Sequence, residues 1–136
     1  MITLDTSALY ALLNQQDPDH AVVLAELRAD AGPYLVPTGI MAEVAYLVES
    51  RLGFRVMDAL LADLESGAYS LDCGEDDLPR IRALATRYES LQLGYTDSAV
   101  IACAERNSGR VLTLDTRHFG VVALEGTIDV RPQVAS

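Results

Sequence analysis

The sequence contains no lysine, and all ten of its basic residues are arginines. The missing lysine excludes chemistry that depends on this amine, such as a P-loop, a Schiff base or a receiver-type phosphorylation site. Twenty acidic residues give a formal net charge of −10. A charge of that sign opposes general nucleic-acid binding, which depends on a basic surface. It suits a basic protein partner or bound divalent cations instead.

Long apolar runs and paired cysteines are also absent. No apolar run approaches the roughly 18 residues that span a bilayer, and no basic stretch precedes the first apolar residues, so we expect neither a membrane segment nor a signal peptide. Cys73 and Cys103, the two cysteines, lack the spacing of a metal site. Nothing in this pattern requires an oxidising compartment, so we expect a cytoplasmic protein with no membrane contact.

Half of the 136 residues are hydrophobic, which is enough for one folded domain. Short apolar runs alternate with stretches of helical periodicity, and this predicts an α/β fold with a parallel central sheet flanked by helices on both faces. The predicted strands are 2–4, 34–36, 68–71, 111–114 and 127–130. We expect a single domain over residues 1–131 and a loose carboxyl-terminal tail over 132–136.

The first predicted strand ends in the polar triplet Asp5-Thr6-Ser7, and helical periodicity begins directly after it. Each of these residues is a good helix cap, so the turn alone favours a cap. In open parallel α/β sheets, however, ligands bind at the turns where strands end and helices begin. The turn therefore becomes a candidate site if other acidic side chains converge on it.

Glu43 is the most informative of those other acids. It falls among Ile40, Val44 and Leu47 on one face of a predicted helix spanning about 40–51. A carboxylate on an apolar helix face is costly unless it is paired, protonated or bound to a metal. At the edge of that face the carboxylate would instead reach solvent. The sequence leaves both positions open.

Two more aspartates stand at predicted element ends. Asp97 begins the most apolar predicted helix, and Asp115 follows an apolar strand as Asp5 does. Alone, each favours a cap or a turn. Together with Glu43, however, all four acids would lie near one end of a parallel sheet, where close carboxylates repel unless a cation compensates. Mg²⁺ and Mn²⁺ prefer carboxylate oxygens and water as ligands.

Four segments stand in a diagnostic order: Asp5-Thr6-Ser7-Ala8-Leu9, Glu43, Thr96-Asp97-Ser98-Ala99-Val100-Ile101-Ala102, and Leu112-Thr113-Leu114-Asp115-Thr116-Arg117-His118-Phe119. In these segments, and over nearly its whole length, the chain resembles PIN-domain ribonucleases, specifically the VapC-type toxins of bacterial toxin–antitoxin pairs. The resemblance implies a PIN-like domain whose four acids are Asp5, Glu43, Asp97 and Asp115. It also implies cleavage of RNA that depends on Mg²⁺ or Mn²⁺, a homodimer and a neutralising VapB-type antitoxin.

On this basis we hypothesise that Asp5, Asp97 and Asp115 ligate the metal directly, and that Glu43 acts directly or through water. Three further side chains are candidates for binding substrate: Thr6, Ser7 and Arg117. The Thr6 and Ser7 hydroxyls lie at a helix start, where they could orient phosphate, and a guanidinium can clamp one. His118 is interpreted as a loop or packing residue, outside the catalytic set.

Two alternatives remain open. The first is a catalytically silent PIN-like scaffold that binds RNA or protein. The second is a Ser7–His118–Asp115 triad, which has no motif support because a G-x-S-x-G elbow is absent. A phosphatase of the haloacid dehalogenase type is disfavoured, because Ser7 stands where its second aspartate would be. The sequence does not indicate which RNA is cut.

Overall fold

Five short parallel strands form the centre of the protein in the computed structural model, which describes residues 1–133. Their spatial order is β3-β2-β1-β4-β5, and every neighbouring pair is parallel. The predicted parallel sheet is confirmed. The strands are β1 (Ile2–Leu4), β2 (Tyr34–Pro37), β3 (Ser70–Asp72), β4 (Arg110–Leu112) and β5 (Asp129–Arg131).

Seven α-helices connect the strands within the described residues. They are α1 (Thr6–Leu13), α2 (His20–Ala29), α3 (Met41–Arg51), α4 (Phe54–Ser66), α5 (Leu78–Arg87), α6 (Gly94–Arg106) and α7 (Thr116–Ala123), and a 3-10 turn (Thr38–Ile40) precedes α3. The chain runs in one direction from β1 to β3 and then returns to place β4 beside β1. Right-handed crossovers therefore place helices on both faces of the sheet, as predicted.

Two features near the carboxyl-terminal half differ from the sequence-based expectation. Helix α6 begins at Gly94, so Asp97 lies inside its first turn and is not the cap that was predicted. Gly94, at the start of this helix, adopts a positive φ of 71°, a conformation that glycine takes without strain. Helix α7 was not predicted at all. Strand β4 ends at Leu112, and Asp115 caps α7 instead of ending the strand.

The end of the chain is described only in part. Strand β5 ends at Arg131, and residues 134–136 of the predicted tail 132–136 lie outside the described residues. The domain boundary at 131 stays a prediction. Within residues 1–133, no helix is both long enough and apolar enough to cross a bilayer.

Helix α6 is the central buried helix, and every residue from Ser98 to Ala104 is buried. It contacts β1, β2 and β4, and its small side chains allow the backbone to lie close to neighbouring elements. The 3-10 turn lies close against this helix, since a Cβ on Gly39 would stand 2.9 Å from the Ala99 Cβ. This contact sets the spacing between α6 and the start of α3.

The substitution Gly39→Ala is expected to destabilise the protein by about 1–3 kcal/mol, because the added methyl group would collide with the Ala99 Cβ, which cannot move without the helix. Gly120→Ala is the matched control, since a Cβ on Gly120 meets nothing within 4 Å. A glycine in a helix costs roughly 0.5–1 kcal/mol relative to alanine, so the control is expected to be neutral or stabilising. Urea unfolding measures both variants, and equal stabilities would contradict the close packing at Gly39.

Candidate functional site

The candidate site lies where β1 and β4 run side by side and the strand order reverses. The Asp5 N–H donates to the Leu112 carbonyl oxygen at 3.2 Å, which holds the ends of these two strands together. Such a switch point is where open parallel sheets bind ligands. A cavity of about 280 Å³ opens there. Its lining residues are Asp5, Thr6, Ser7, Tyr10, Glu43, Leu47, Asp97 and Asp115.

Asp5 is almost completely buried at this point, with 4% of its surface exposed. Its Oδ1 accepts hydrogen bonds from the Ser7 hydroxyl at 2.8 Å and the Ala8 N–H at 2.9 Å, so Asp5 is the residue of the Asp5-Thr6-Ser7 triplet that caps α1. Its Oδ2 accepts from the Thr113 hydroxyl at 2.5 Å. Burial raises the pKa of Asp5 to about 6, against the opposing effect of these donors, and the charge of Asp115 adds to the rise.

Asp97, in the first turn of α6, and Asp115, the N-cap of α7, approach each other. A single histidine lies between them: His118 Nδ1 is 2.6 Å from Asp115 Oδ2 and 3.4 Å from Asp97 Oδ2. Burial raises the pKa of Asp97 to about 6, and the charges of Asp5 and Asp115 contribute to this rise. The three aspartates therefore form one electrostatically coupled cluster.

Glu43 lies at the solvent-exposed edge of the apolar face of α3, which is one of the two positions that its sequence context left open. It lies in the first turn of α3 with its side chain exposed, at the edge of the apolar face and not buried within it. It nevertheless lines the shared cavity, and its negative charge contributes to the raised pKa of Asp97. All four predicted acids thus border one cavity.

The three predicted substrate-binding residues are placed differently. Thr6 lines the cavity, and its Oγ1 is buried with no hydrogen-bond partner in the described part of the chain. The Ser7 hydroxyl donates to Asp5 and accepts from the Leu114 N–H at 3.0 Å. Arg117 is exposed and is not among the lining residues of the cavity.

The alternative triad is not formed within residues 1–133. The Ser7 hydroxyl is hydrogen-bonded to Asp5 and to the Leu114 N–H, so it does not donate to His118. Its oxygen is held in the loop that supports the acids. This arrangement therefore gives no support to a serine nucleophile.

Two residues near the acids were not predicted to act there. Thr113 is 1% exposed, donates to Asp5 and accepts the Asp115 N–H at 2.9 Å, so one hydroxyl joins two of the acids. His118 belongs to the cluster, although its sequence context predicted a loop or packing residue outside the catalytic set. A signal for His118 exists in its spacing: three residues after Asp115 in a helix, its side chain returns to the same face.

Thr113→Val is expected to lower the free energy of unfolding by about 2 kcal/mol, because the Asp5 carboxylate loses a charge-assisted hydrogen bond and the Asp115 N–H loses its acceptor. Thr113→Ser keeps the hydroxyl and is the matched control. Denaturant titration of the metal-free protein at pH 7.5 compares the two. Unchanged stability in Thr113→Val would contradict this role of the hydroxyl, and any loss in Thr113→Ser would measure the contribution of the methyl group.

The donor set fits a hard divalent cation. Carboxylate oxygens converge from a strand end, from α3, from α6 and from the start of α7, and Mg²⁺ and Mn²⁺ favour such ligands. One ligand atom each from Asp97, Asp115 and His118 lie within 4.8 Å of one another. The buried Thr6 hydroxyl supplies a further polar group beside them with no partner in residues 1–133.

These features define a class: a parallel α/β domain that gathers carboxylates at the switch point of its sheet. A sequence model of the family described as PIN domain matches residues 2–124. The chain belongs to the PIN-domain family.

Relatives of known identity agree with this assignment. The chain is 36% identical over 121 residues to Ribonuclease VapC26 of Mycobacterium tuberculosis (strain ATCC 25618 / H37Rv), which covers 88% of this chain and 90% of that protein. The fold of this chain is similar to that in the crystal structure of Mycobacterium tuberculosis VapC20, described as a Sarcin-Ricin loop cleaving toxin. The TM-score is 0.77 at 19% identity, over 89% of this chain and 95% of that one. The resemblance to VapC-type PIN domains is confirmed.

Proposed function

We propose that this protein is a divalent-metal-dependent endoribonuclease, the toxin of a VapBC-type toxin–antitoxin pair. The observation that carries the proposal is the placement of Asp5, Glu43, Asp97 and Asp115 around one cavity at the switch point. The family assignment and the relative named Ribonuclease VapC26 support it. The substrate would be the phosphodiester backbone of an RNA.

Each acid has a distinct part in this proposal. Asp5 is held rigidly by three hydrogen bonds, while Asp97 and Asp115 face each other from α6 and α7, so these three would hold the ion directly. Exposed Glu43 borders the cavity at the surface, where it would act directly or through water. A bound divalent ion would polarise the scissile phosphate and the attacking water.

The neighbouring polar groups would position the substrate. The Thr6 hydroxyl, which has no partner among residues 1–133, is available to donate to a phosphate oxygen at the start of α1. Ser7 is engaged with Asp5 and would act by fixing that carboxylate. Arg117 lies exposed in the first turn of α7, from where its guanidinium would reach a phosphate farther along the RNA.

The proposed partners follow from charge and from family membership. An acidic cavity in a chain of net charge −10 is a good target for an arginine or lysine inserted by a VapB-type antitoxin. We further propose a homodimer, and a cytoplasmic location where RNA and antitoxin are both present. Co-expression with the neighbouring small open reading frame is expected to yield a copurifying complex.

Incubation of the purified protein with total RNA tests the activity. Cleavage is expected with Mg²⁺ or Mn²⁺ and is expected to stop with EDTA. Asp5→Asn is expected to be inactive, and Asp58→Asn, at an exposed position on α4, is the matched control. Equal cleavage by Asp5→Asn and the wild type would overturn the mechanism.

Calorimetric titration separates the enzyme from the silent scaffold. An enzyme of this design is expected to bind Mn²⁺ in the wild type and in Asp58→Asn, and to lose that binding in Asp5→Asn. A scaffold is expected to show no binding that depends on the carboxylates. Mapping cut sites in total RNA after induced expression would identify the substrate.

A further inference from the structure

His118 stands in the only group of three or more His, Cys, Asp and Glu side chains within residues 1–133 that is close enough to hold a metal ion. Its Nδ1 faces two carboxylates, Asp115 Oδ2 of the α7 N-cap at 2.6 Å and Asp97 Oδ2 of α6 at 3.4 Å. We propose that His118 is a nitrogen ligand of the divalent ion, beside Asp97 and Asp115. This inference rests on the proposed function and extends its ligand set.

The local backbone holds the imidazole in place without help from an ion. Asp115 Oδ1 accepts the His118 N–H at 3.0 Å and so caps α7, which fixes the first turn of the helix. The next residue, Phe119, is fully buried and anchors that turn in the core. The His118 side chain is 21% exposed at the edge of the cluster. The ring is therefore preorganised toward the acids.

A packing histidine does not account for this placement. A histidine that only filled space would direct its ring into apolar surroundings, whereas His118 directs a ring nitrogen between Asp115 and Asp97. A histidine that only oriented Asp115 would need contact with that one carboxylate. Because Nδ1 also faces the carboxylate of Asp97 on α6, it lies where one ion could contact both acids and the ring. Neutral imidazole is the commonest side-chain ligand of metals in proteins.

A nitrogen ligand has a consequence for the choice of ion. Mg²⁺ strongly prefers oxygen ligands, while transition-metal ions accept imidazole together with carboxylates. His118 would therefore favour Mn²⁺ over Mg²⁺ at a site whose acids alone accept both. On binding, Nδ1 uses its lone pair for the ion, and any proton it carried is released to solvent.

The second histidine of the chain makes the test specific, because the sequence contains only two. His20 begins α2, and its Nδ1 lies 2.8 Å from the Ala11 carbonyl oxygen. Pulsed electron paramagnetic resonance of bound Mn²⁺ detects directly coordinated nitrogen through its hyperfine coupling. We expect that coupling in the wild type and in His20→Ala, and its loss in His118→Ala.

Metal affinities provide an independent readout that does not require RNA cleavage. His118→Ala is expected to weaken Mn²⁺ binding at least about tenfold, because losing a direct ligand costs no less than losing a group that only supports a ligand, for which the effect is roughly 10–100-fold. Mg²⁺ binding is expected to change less than about twofold, because Mg²⁺ gains little from a nitrogen ligand. Equal weakening for both ions would indicate a purely structural role and would overturn the inference.

The outcomes separate the inference from the proposed function. If wild-type protein binds Mn²⁺ through its carboxylates without nitrogen coupling, His118 is not a ligand, while the nuclease proposal stands. If no carboxylate-dependent Mn²⁺ binding occurs, both are overturned. The wild-type and His20→Ala spectra decide the question even if His118→Ala fails to fold.

Discussion

Asp97→Asn is expected to abolish RNA cleavage and, in the same protein, to raise the stability of the metal-free state. The activity is lost because the substitution removes one of three aspartates proposed to hold the ion. Loss of such a ligand is expected to lower the cleavage rate at least 100-fold, by comparison with the 10–100-fold effect of removing groups that only support a ligand.

The stability rises because the negative charge of Asp97 is unfavourable in the folded protein. Burial and the charges of Asp5 and Asp115 raise its pKa to about 6, so at pH 7.5 the folded protein holds its charge at a cost. A shift of this size corresponds to about 3 kcal/mol. Its side chain is 25% exposed, so we expect a net gain of roughly 1–2 kcal/mol for the neutral amide.

Denaturant unfolding in EDTA and RNA cleavage in Mn²⁺, both at pH 7.5, measure the two effects. Asp58→Asn carries the same chemical change on the exposed surface of α4 and is expected to change neither quantity appreciably. A variant that is both inactive and less stable than the wild type would indicate that Asp97 has a structural role instead. That result would remove Asp97 from the proposed ligands.

The strands and the positions of the acids were accessible from sequence because both depend on local patterns. An apolar run that stops at an aspartate predicted the end of β1 correctly, and the parallel sheet followed from the alternation of strands and helices. Sequence order could not show convergence. Asp5 and Thr113 are 108 positions apart, yet their side chains are in hydrogen-bond contact.

The errors also have physical causes. Gly94 begins α6 before the apolar residues that signal it, because the first turn of a helix can carry polar side chains. Helix α7 is only eight residues long and depends on the Asp115 cap and on the buried Phe119. Burial of that kind is set by tertiary packing, and a helix that short has a weak periodic signal. Because α7 was not predicted, His118 was interpreted as a loop or packing residue and not as a neighbour of the acids.

The metal-free protein is expected to become more stable as the pH falls from 7.5 to 5. Asp5 and Asp97 have a pKa of about 6 in the folded protein, above the value of 3.8 expected for an unperturbed aspartate. Between these values the folded state binds more protons than the unfolded state, so its stability falls as the pH rises through that interval. We expect a difference of about 2–3 kcal/mol between pH 5 and pH 7.5, part of the nearly 3 kcal/mol available to each carboxyl.

Mn²⁺ is expected to cancel most of this dependence, because metal and protons compete for the same carboxylate oxygens. At pH 7.5 a concentration 100 times the Kd would stabilise the folded state by about 2.7 kcal/mol, whereas at pH 5 the protonated acids bind the ion poorly. Urea unfolding at both pH values, with EDTA or MnCl₂, gives four stabilities whose differences test the coupling. Equal stabilisation by Mn²⁺ at the two pH values would show that the ion binds elsewhere. In that case metal binding would not explain why the protein keeps carboxylates whose charges destabilise its metal-free folded state at neutral pH.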